Sequence, residues 1–246
     1  MPASAQLKTN LDRNTFAERA ILFAKQLDYT GDALPEGIRI MNPFRESEQA
    51  LKIAETFYRK YYSDHQPRHL ILGINPSRLG AGLTGIPFTD PKRLKSECGI
   101  DYTGRFTHEP SSVFIYEMIR AYGGPDRFYK DFYINSPCPL GFTAVSPDGR
   151  EKNYNYYDNG ELFRAVEDFM ISSIKQLIDT GIKTDVCFCL GTGKNEKYLN
   201  RLNAAHHFFE KIIALEHPRF IMQYKNADKL LYIDKYISAF EAASGH

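Results

Sequence analysis

A chain of 246 residues falls within the range of one large domain or at most two. Its 43% hydrophobic content, with 17 Phe and 16 Tyr, can fill a sizeable core, and a formal net charge of +1 carries no bulk signature of a nucleic-acid partner, so any polyanion would have to meet locally concentrated charge. No apolar run reaches the 18 residues that a membrane span needs, and the N-terminal MPASAQLKTNLDRNTF lacks the apolar centre of a signal peptide, so a cytoplasmic protein without a membrane partner is expected.

Residues 1–12 are polar, and 14–28 place Phe16, Ala20, Phe23 and Leu27 on one helical face. Residues 29–46 read as loop with a short extended piece, GIRIMNPF. Ser47 is placed to cap a helix running to about Tyr62, with Leu51, Ala54, Phe57 and Tyr58 inward. His65-Gln66-Pro67 then turns the chain into the stretch 68–90, RHLILGINPSRLGAGLTGIPFTD. Leu70-Ile71-Leu72 reads as a buried strand that empties into a loop holding Gly73, Asn75, Pro76, Ser77, Gly80, Gly82 and Gly85. Open α/β sheets bind their ligands at such exits, beyond the carboxyl ends of the strands.

Residues 91–100 are basic and polar, and 111–122 read as a helix ended by Gly123-Gly124-Pro125. FYKDFYIN, 128–135, is predicted as an aromatic strand ending at Asn135, and 145–160 as a long polar loop. A helix over 161–180 follows, with six acids on or just ahead of it. DVCFCLG, 185–191, is a strand-like run; a helix over about 195–214 leads to His217-Pro218, and a last helix spans 227–242. This alternation predicts a doubly wound α/β sandwich with helices on both sheet faces. Its parallel strands would bring the exits at Asn75, Asn135 and His217 to one edge. The four cysteines, Cys98, Cys138, Cys187 and Cys189, have the spacing of neither a zinc knuckle nor an iron–sulfur cluster; they read as reduced thiols, and no metal or cofactor is expected.

GINPSRLGAGLTGIPF, 73–88, resembles the first motif of the uracil-DNA glycosylase superfamily. The closest branch is the single-strand-selective monofunctional uracil-DNA glycosylases, whose motif begins Gly-Met-Asn-Pro-Gly and ends Thr-Gly-Val-Pro-Phe. YINSPCPLGF, 133–142, is similar to the family's Asn-Leu-Cys-Pro-Leu segment, and LEHPRF, 215–220, to its His-Pro-Ser-Pro-Arg motif. The resemblance covers residues 38–235. It implies a single domain over 1–246 with 1–37 as an N-terminal helical extension, and a three-layer α/β/α sandwich around a mostly parallel four-stranded sheet. The chain departs from the family pattern at Ser77, where a glycine is usual, and in its Pro-Arg-Phe-Ile-Met wedge loop.

The implied chemistry is cleavage of an N-glycosidic bond. The sugar develops positive charge and the departing base negative charge, so preorganised donors aimed at the base lower the barrier. By resemblance, His217 donates to the base carbonyl and Asn75 orients the attacking water. The backbone around Gly73 and Ile74 adds donors, Asn135 reads the base edge, and Phe88 stacks on an everted base. Ser77, Arg78, Arg219 and Phe220 would meet the DNA. Local charge agrees: residues 191–230 hold seven Lys or Arg against four acids.

The expected protein is thus a monomeric, monofunctional DNA glycosylase that removes uracil from single- or double-stranded DNA in base excision repair. 5-Hydroxymethyluracil, hypoxanthine and xanthine are further candidate bases. With no catalytic lysine evident at the pocket, no lyase step is expected. The alternatives are a hydrolase of free nucleosides or nucleotides and a non-catalytic binder of damaged DNA.

Overall fold

A computed structural model describes residues 14–145 and 148–245; the polar stretch 1–12 lies outside the described residues. Helix α1 (Phe16–Gln26) opens on a capping box, with the Glu18 N–H donating to Thr15 Oγ1 at 3.2 Å and the Thr15 N–H to Glu18 Oε2 at 2.7 Å. Strand β1 (Ile38–Met41) and the single turn α2 (Pro43–Glu46) lead into α3 (Glu48–Tyr61). Ser47 caps α3 as expected, accepting from the Ala50 N–H at 3.2 Å. Ala54, Phe57 and Tyr58 face inward, whereas Leu51 is only partly covered and Ile53 takes the buried place. Strand β2 (Arg68–Leu72) follows, then α4 (Ala81–Thr84), α5 (Pro91–Cys98) and α6 (Pro110–Tyr122), which stops at a left-handed Gly123.

Here the chain departs from its sequence pattern. The aromatic run 128–135 is divided: α7 (Pro125–Asp131) takes its first half and β3 (Phe132–Asn135) the second. Pro125 in the first helical turn, where its missing N–H is harmless, starts that helix despite the β-favouring aromatics. The predicted loop 145–160 begins instead as an antiparallel hairpin of β4 (Gly141–Val145) and β5 (Glu151–Tyr154). Gly149 in its turn has φ 77°, a conformation that an Asp-Gly pair supplies readily. After α8 (Gly160–Asp179) and β6 (Ile182–Leu190), the predicted helix 195–214 also divides, into α9 (Lys194–His206) and β7 (Lys211–Leu215). His207 ends α9 at φ 53°, and Asn203 fastens the exit by bonding both the N–H and the carbonyl of Phe209 at 2.9 Å. The short α10 (Pro218–Tyr224) and the long α11 (Lys229–Ser244) complete the chain.

The main sheet has the order β3-β2-β6-β7, with every pair parallel. Central β2 is buried at all five positions, as an inner strand covered on both faces must be. One face meets α1 and α3, where Tyr133 packs its ring 5.1 Å from Phe16 and 6.0 Å from Tyr58. The other meets α6 and α11, with Phe132 lying 5.5 Å from Tyr122 and 4.6 Å from Phe240. A second sheet, β1-β4-β5, is antiparallel and flanks the strand exits. The result is a three-layer α/β/α sandwich.

The entrance to β2 carries Arg68, which is fully buried. Its guanidinium donates to both oxygens of Asp64, at 2.5 and 2.7 Å, and to the carbonyls of Gln66 and Tyr129, while lying over the rings of Phe16 and Tyr62. These contacts satisfy a buried cation and hold the Asp64 carboxyl below its usual range, chiefly through the hydrogen bonds from Arg68 against the opposing effect of burial.

Candidate active site

Parallel pairing sets the exits of β2, β3 and β7 side by side. Leu72 is opposite Asn135, the Gly73 N–H donates to the Asn135 carbonyl at 2.8 Å, and the Gly191 N–H to the Leu215 carbonyl at 2.7 Å. These exits open into a cavity of about 680 Å³. Gly73, Ile74, Asn75, Ser77, Phe88, Asn135, His217, Arg219 and Phe220 all line it. Arg78 alone among the expected residues does not; its backbone N–H donates to Asn153 Oδ1 at 3.0 Å and its side chain stands in solvent.

The Asn75 carboxamide is held by backbone. Its Nδ2 donates to the Tyr154 carbonyl at 3.1 Å, and its Oδ1 accepts from the Tyr156 N–H at 3.2 Å. Because one partner is a carbonyl and the other an N–H, the amide has a single sensible orientation. Its oxygen keeps one lone pair that can hold a water. Asn135 is buried, with Oδ1 accepting from the Ser136 N–H at 2.8 Å and Nδ2 donating to Tyr133 Oη at 3.1 Å. It too retains one N–H and one lone pair.

His217 caps the start of α10 and accepts at Nδ1 from the Arg219 N–H, 3.1 Å away. That bond places the ring proton on Nε2. Burial, with a smaller contribution from the Arg219 guanidinium, lowers the imidazole pKa to about 4. His217 is therefore neutral at physiological pH and offers one N–H donor. Phe88 stands 5.7 Å from the imidazole, ring to ring, on a backbone with φ 52°. A bulky residue in the left-handed region is held there by its surroundings, and such strain gathers at ligand sites. Its ring lies against Gly73, where an added Cβ would meet it at 3.1 Å.

Two parts of the site escaped the sequence reading. One is the end of β5 and the segment after it: Asn153, Asn155 and Tyr157 line the cavity, and Tyr156 donates through its hydroxyl to Asn195 Oδ1 at 2.6 Å. Buried Asn195 in turn donates to the carbonyls of Gly73 and Leu190, each at 3.0 Å, tying the hairpin to two strand exits. The other is Glu109, which lines the cavity and accepts from Ser77 Oγ at 2.5 Å.

The sequence profile of the Uracil DNA glycosylase superfamily matches residues 59–241. The chain belongs to that superfamily. A solved structure described as "The crystal structure of WT Pedobacter heparinus SMUG2" is similar to it throughout: 64% identity, a TM-score of 0.93, and coverage of 94% of this chain and 99% of that one. No curated protein matches the chain. Membership in the superfamily gives the chain a uracil-DNA glycosylase fold, and the four-stranded parallel sheet between helical layers agrees with that neighbour. Among the described residues, no helix is long and apolar enough to cross a membrane.

Proposed function

We propose that this member of the superfamily is a monofunctional glycosylase that everts uracil from DNA and hydrolyses its N-glycosidic bond. The observation that carries the reading is the convergence of Asn75, Asn135, His217 and Phe88 on one cavity, with the proton of His217 on Nε2. In this reading the base slides against Phe88 and is read at its edge by Asn135. Neutral His217 donates to the carbonyl oxygen on which negative charge develops. The Asn75 oxygen holds the water for the sugar; an amide suffices where bond breaking runs ahead of attack, because a nearly free cation needs placement more than a base. Arg219 and Phe220, exposed at the cavity mouth, fill the gap left in the stack. The described residues act as one unit, with α1 built into the core through Phe16 and Ala20.

Exposed Phe220 and Tyr224 on the rim favour a polymer over a free nucleoside, since a small molecule has no use for aromatics beyond the pocket. The test is base release from a uracil-containing oligonucleotide beside free deoxyuridine, with a panel of hypoxanthine, xanthine and 5-hydroxymethyluracil substrates. Release from the oligonucleotide alone is the expected result. Hydrolysis of deoxyuridine at an equal rate would replace this reading with a nucleoside hydrolase. Tight binding without release would make the chain a damage-binding protein.

A further inference from the structure

Glu109 sits where a DNA-binding site should avoid negative charge. Its side chain lines the cavity, and its carboxylate accepts from Ser77 Oγ at 2.5 Å and Ser112 Oγ at 3.2 Å. Among the described residues, no Lys, Arg or His lies within ion-pairing distance of it. The glycine-rich loop is shaped around this group: a Cβ at Gly80 would collide with Glu109 Oε2. The segment is also strapped down, with the Glu109 N–H donating to Asp90 Oδ2 at 2.7 Å and Thr107 Oγ1 to the Leu79 carbonyl at 2.6 Å.

The charged groups around it come from three elements. Asp90, at the start of α5, adds a like charge, and Arg219, at the start of α10, an opposite one. Arg93 and His108 stand one step further out, bonded to each other at 3.1 Å, with Arg93 also 3.4 Å from Asp90. Burial, the largest influence, raises the Glu109 pKa above its ordinary value; Asp90 adds to the rise, while the two serines and Arg219 oppose it. The carboxyl is therefore already easier to protonate than one in water.

Resting on the glycosylase reading, in which Ser77 meets the DNA backbone, we propose that Ser77 and Glu109 form a proton-linked phosphate receptor. In the free protein, the Ser77 hydroxyl donates to the Glu109 carboxylate. When a phosphate arrives, the carboxylate takes one proton from solvent and donates it to Ser77 Oγ, and the Ser77 O–H turns outward to the phosphate oxygen. One O–H bond forms, on the Glu109 carboxyl, with a proton drawn from solvent, and no bond between heavy atoms changes; one proton is taken up per site. The driving force is electrostatic, because a carboxylate and a phosphate sharing one hydroxyl repel, and neutralising either relieves this. A glycine at position 77 would leave no hydroxyl to pass the donor along.

The test uses an oligonucleotide carrying 2′-fluoro-deoxyuridine, whose electron-poor sugar resists cleavage. Affinity is measured between about pH 5 and 8, with binding heats compared in two buffers of different ionisation enthalpy. For the unaltered protein, affinity should fall by up to about tenfold per pH unit toward the alkaline end, and the heats should report proton uptake. Glu109→Gln and Ser77→Ala should each bind with a flattened pH profile and without that uptake. His108 also lines the cavity, so the variants carry the comparison. If Glu109→Gln fails to fold, by circular dichroism, Ser77→Ala decides alone. Uptake that survives in a folded variant, or pH-independent binding by the unaltered protein, overturns the receptor and leaves the glycosylase reading intact. Absence of any binding or base release removes both.

Discussion

The entrance of strand β2 and the exit edge of its sheet carry polar groups that are treated in opposite ways. At the entrance, the Arg68 guanidinium is buried and engaged through all three nitrogens by Asp64 and two carbonyls, between two aromatic rings. At the exit, Asn75, Asn135 and His217 are each oriented by one or two bonds, yet each keeps a donor or acceptor unspent and aimed at a cavity. A buried polar group whose every nitrogen is bonded within the protein holds the fold together. One that is fixed in orientation but left with spare capacity is prepared for a ligand. Spare hydrogen-bonding capacity, rather than burial or polarity, distinguishes the candidate site from the core.

Substitutions at the two ends should separate activity from stability. The largest effect is expected at the exit: Asn75→Ala and His217→Ala should each lower single-turnover uracil release by about 10²–10³-fold, with stability within about 1 kcal/mol of the parent. Full activity in either variant would break the comparison. At the entrance, Arg68→Ala should cost about 3 kcal/mol in urea unfolding, at the low end for a broken buried pair because Asp64 is partly exposed. The protein that remains folded should release uracil at the parental rate. Phe88→Ala should weaken binding of uncleavable uracil-DNA by about 1–3 kcal/mol, and a smaller loss would return Phe88 to the role of a packing residue.

A further effect concerns pH. The folded pKa of His217, about 4, lies below the ordinary 6.5, so the folded state binds fewer protons than the unfolded chain between those values. The contribution of His217 to stability is thus fully present above 6.5 and is lost as pH falls toward 4. A melting temperature that declines on acidification in the parent, and declines less in His217→Asn, is the expected outcome. An equal decline in both would place the effect elsewhere.

Much of this was readable from residue order, for identifiable reasons. Strand β2 and its glycine-rich exit announce themselves because an apolar run against clustered glycines has few other uses. Strand β7 was hidden because KIIAL continues the apolar spacing of the preceding helix, and the break falls at His207, a residue without the turn preference of glycine. The hairpin was legible but unread: Asp148-Gly149 is a strong turn signal that a merely polar reading of 145–160 passes over. The orientation of Asn75 was not legible in any way, since it depends on the carbonyl of Tyr154 and the N–H of Tyr156, groups that every residue but proline shares.

The bond from the Arg219 amide to His217 has a consequence for how the site fails. An imidazole whose Nδ1 has no such neighbour samples both tautomers, and in one of them the nitrogen facing the cavity presents a lone pair to an oxygen that already carries electrons. In the proposed glycosylase, a slight fraying at the first turn of α10 would therefore convert attraction to repulsion at the leaving base without displacing a single ring atom. In this protein the reliability of a proton's address rests on the integrity of one short helical turn.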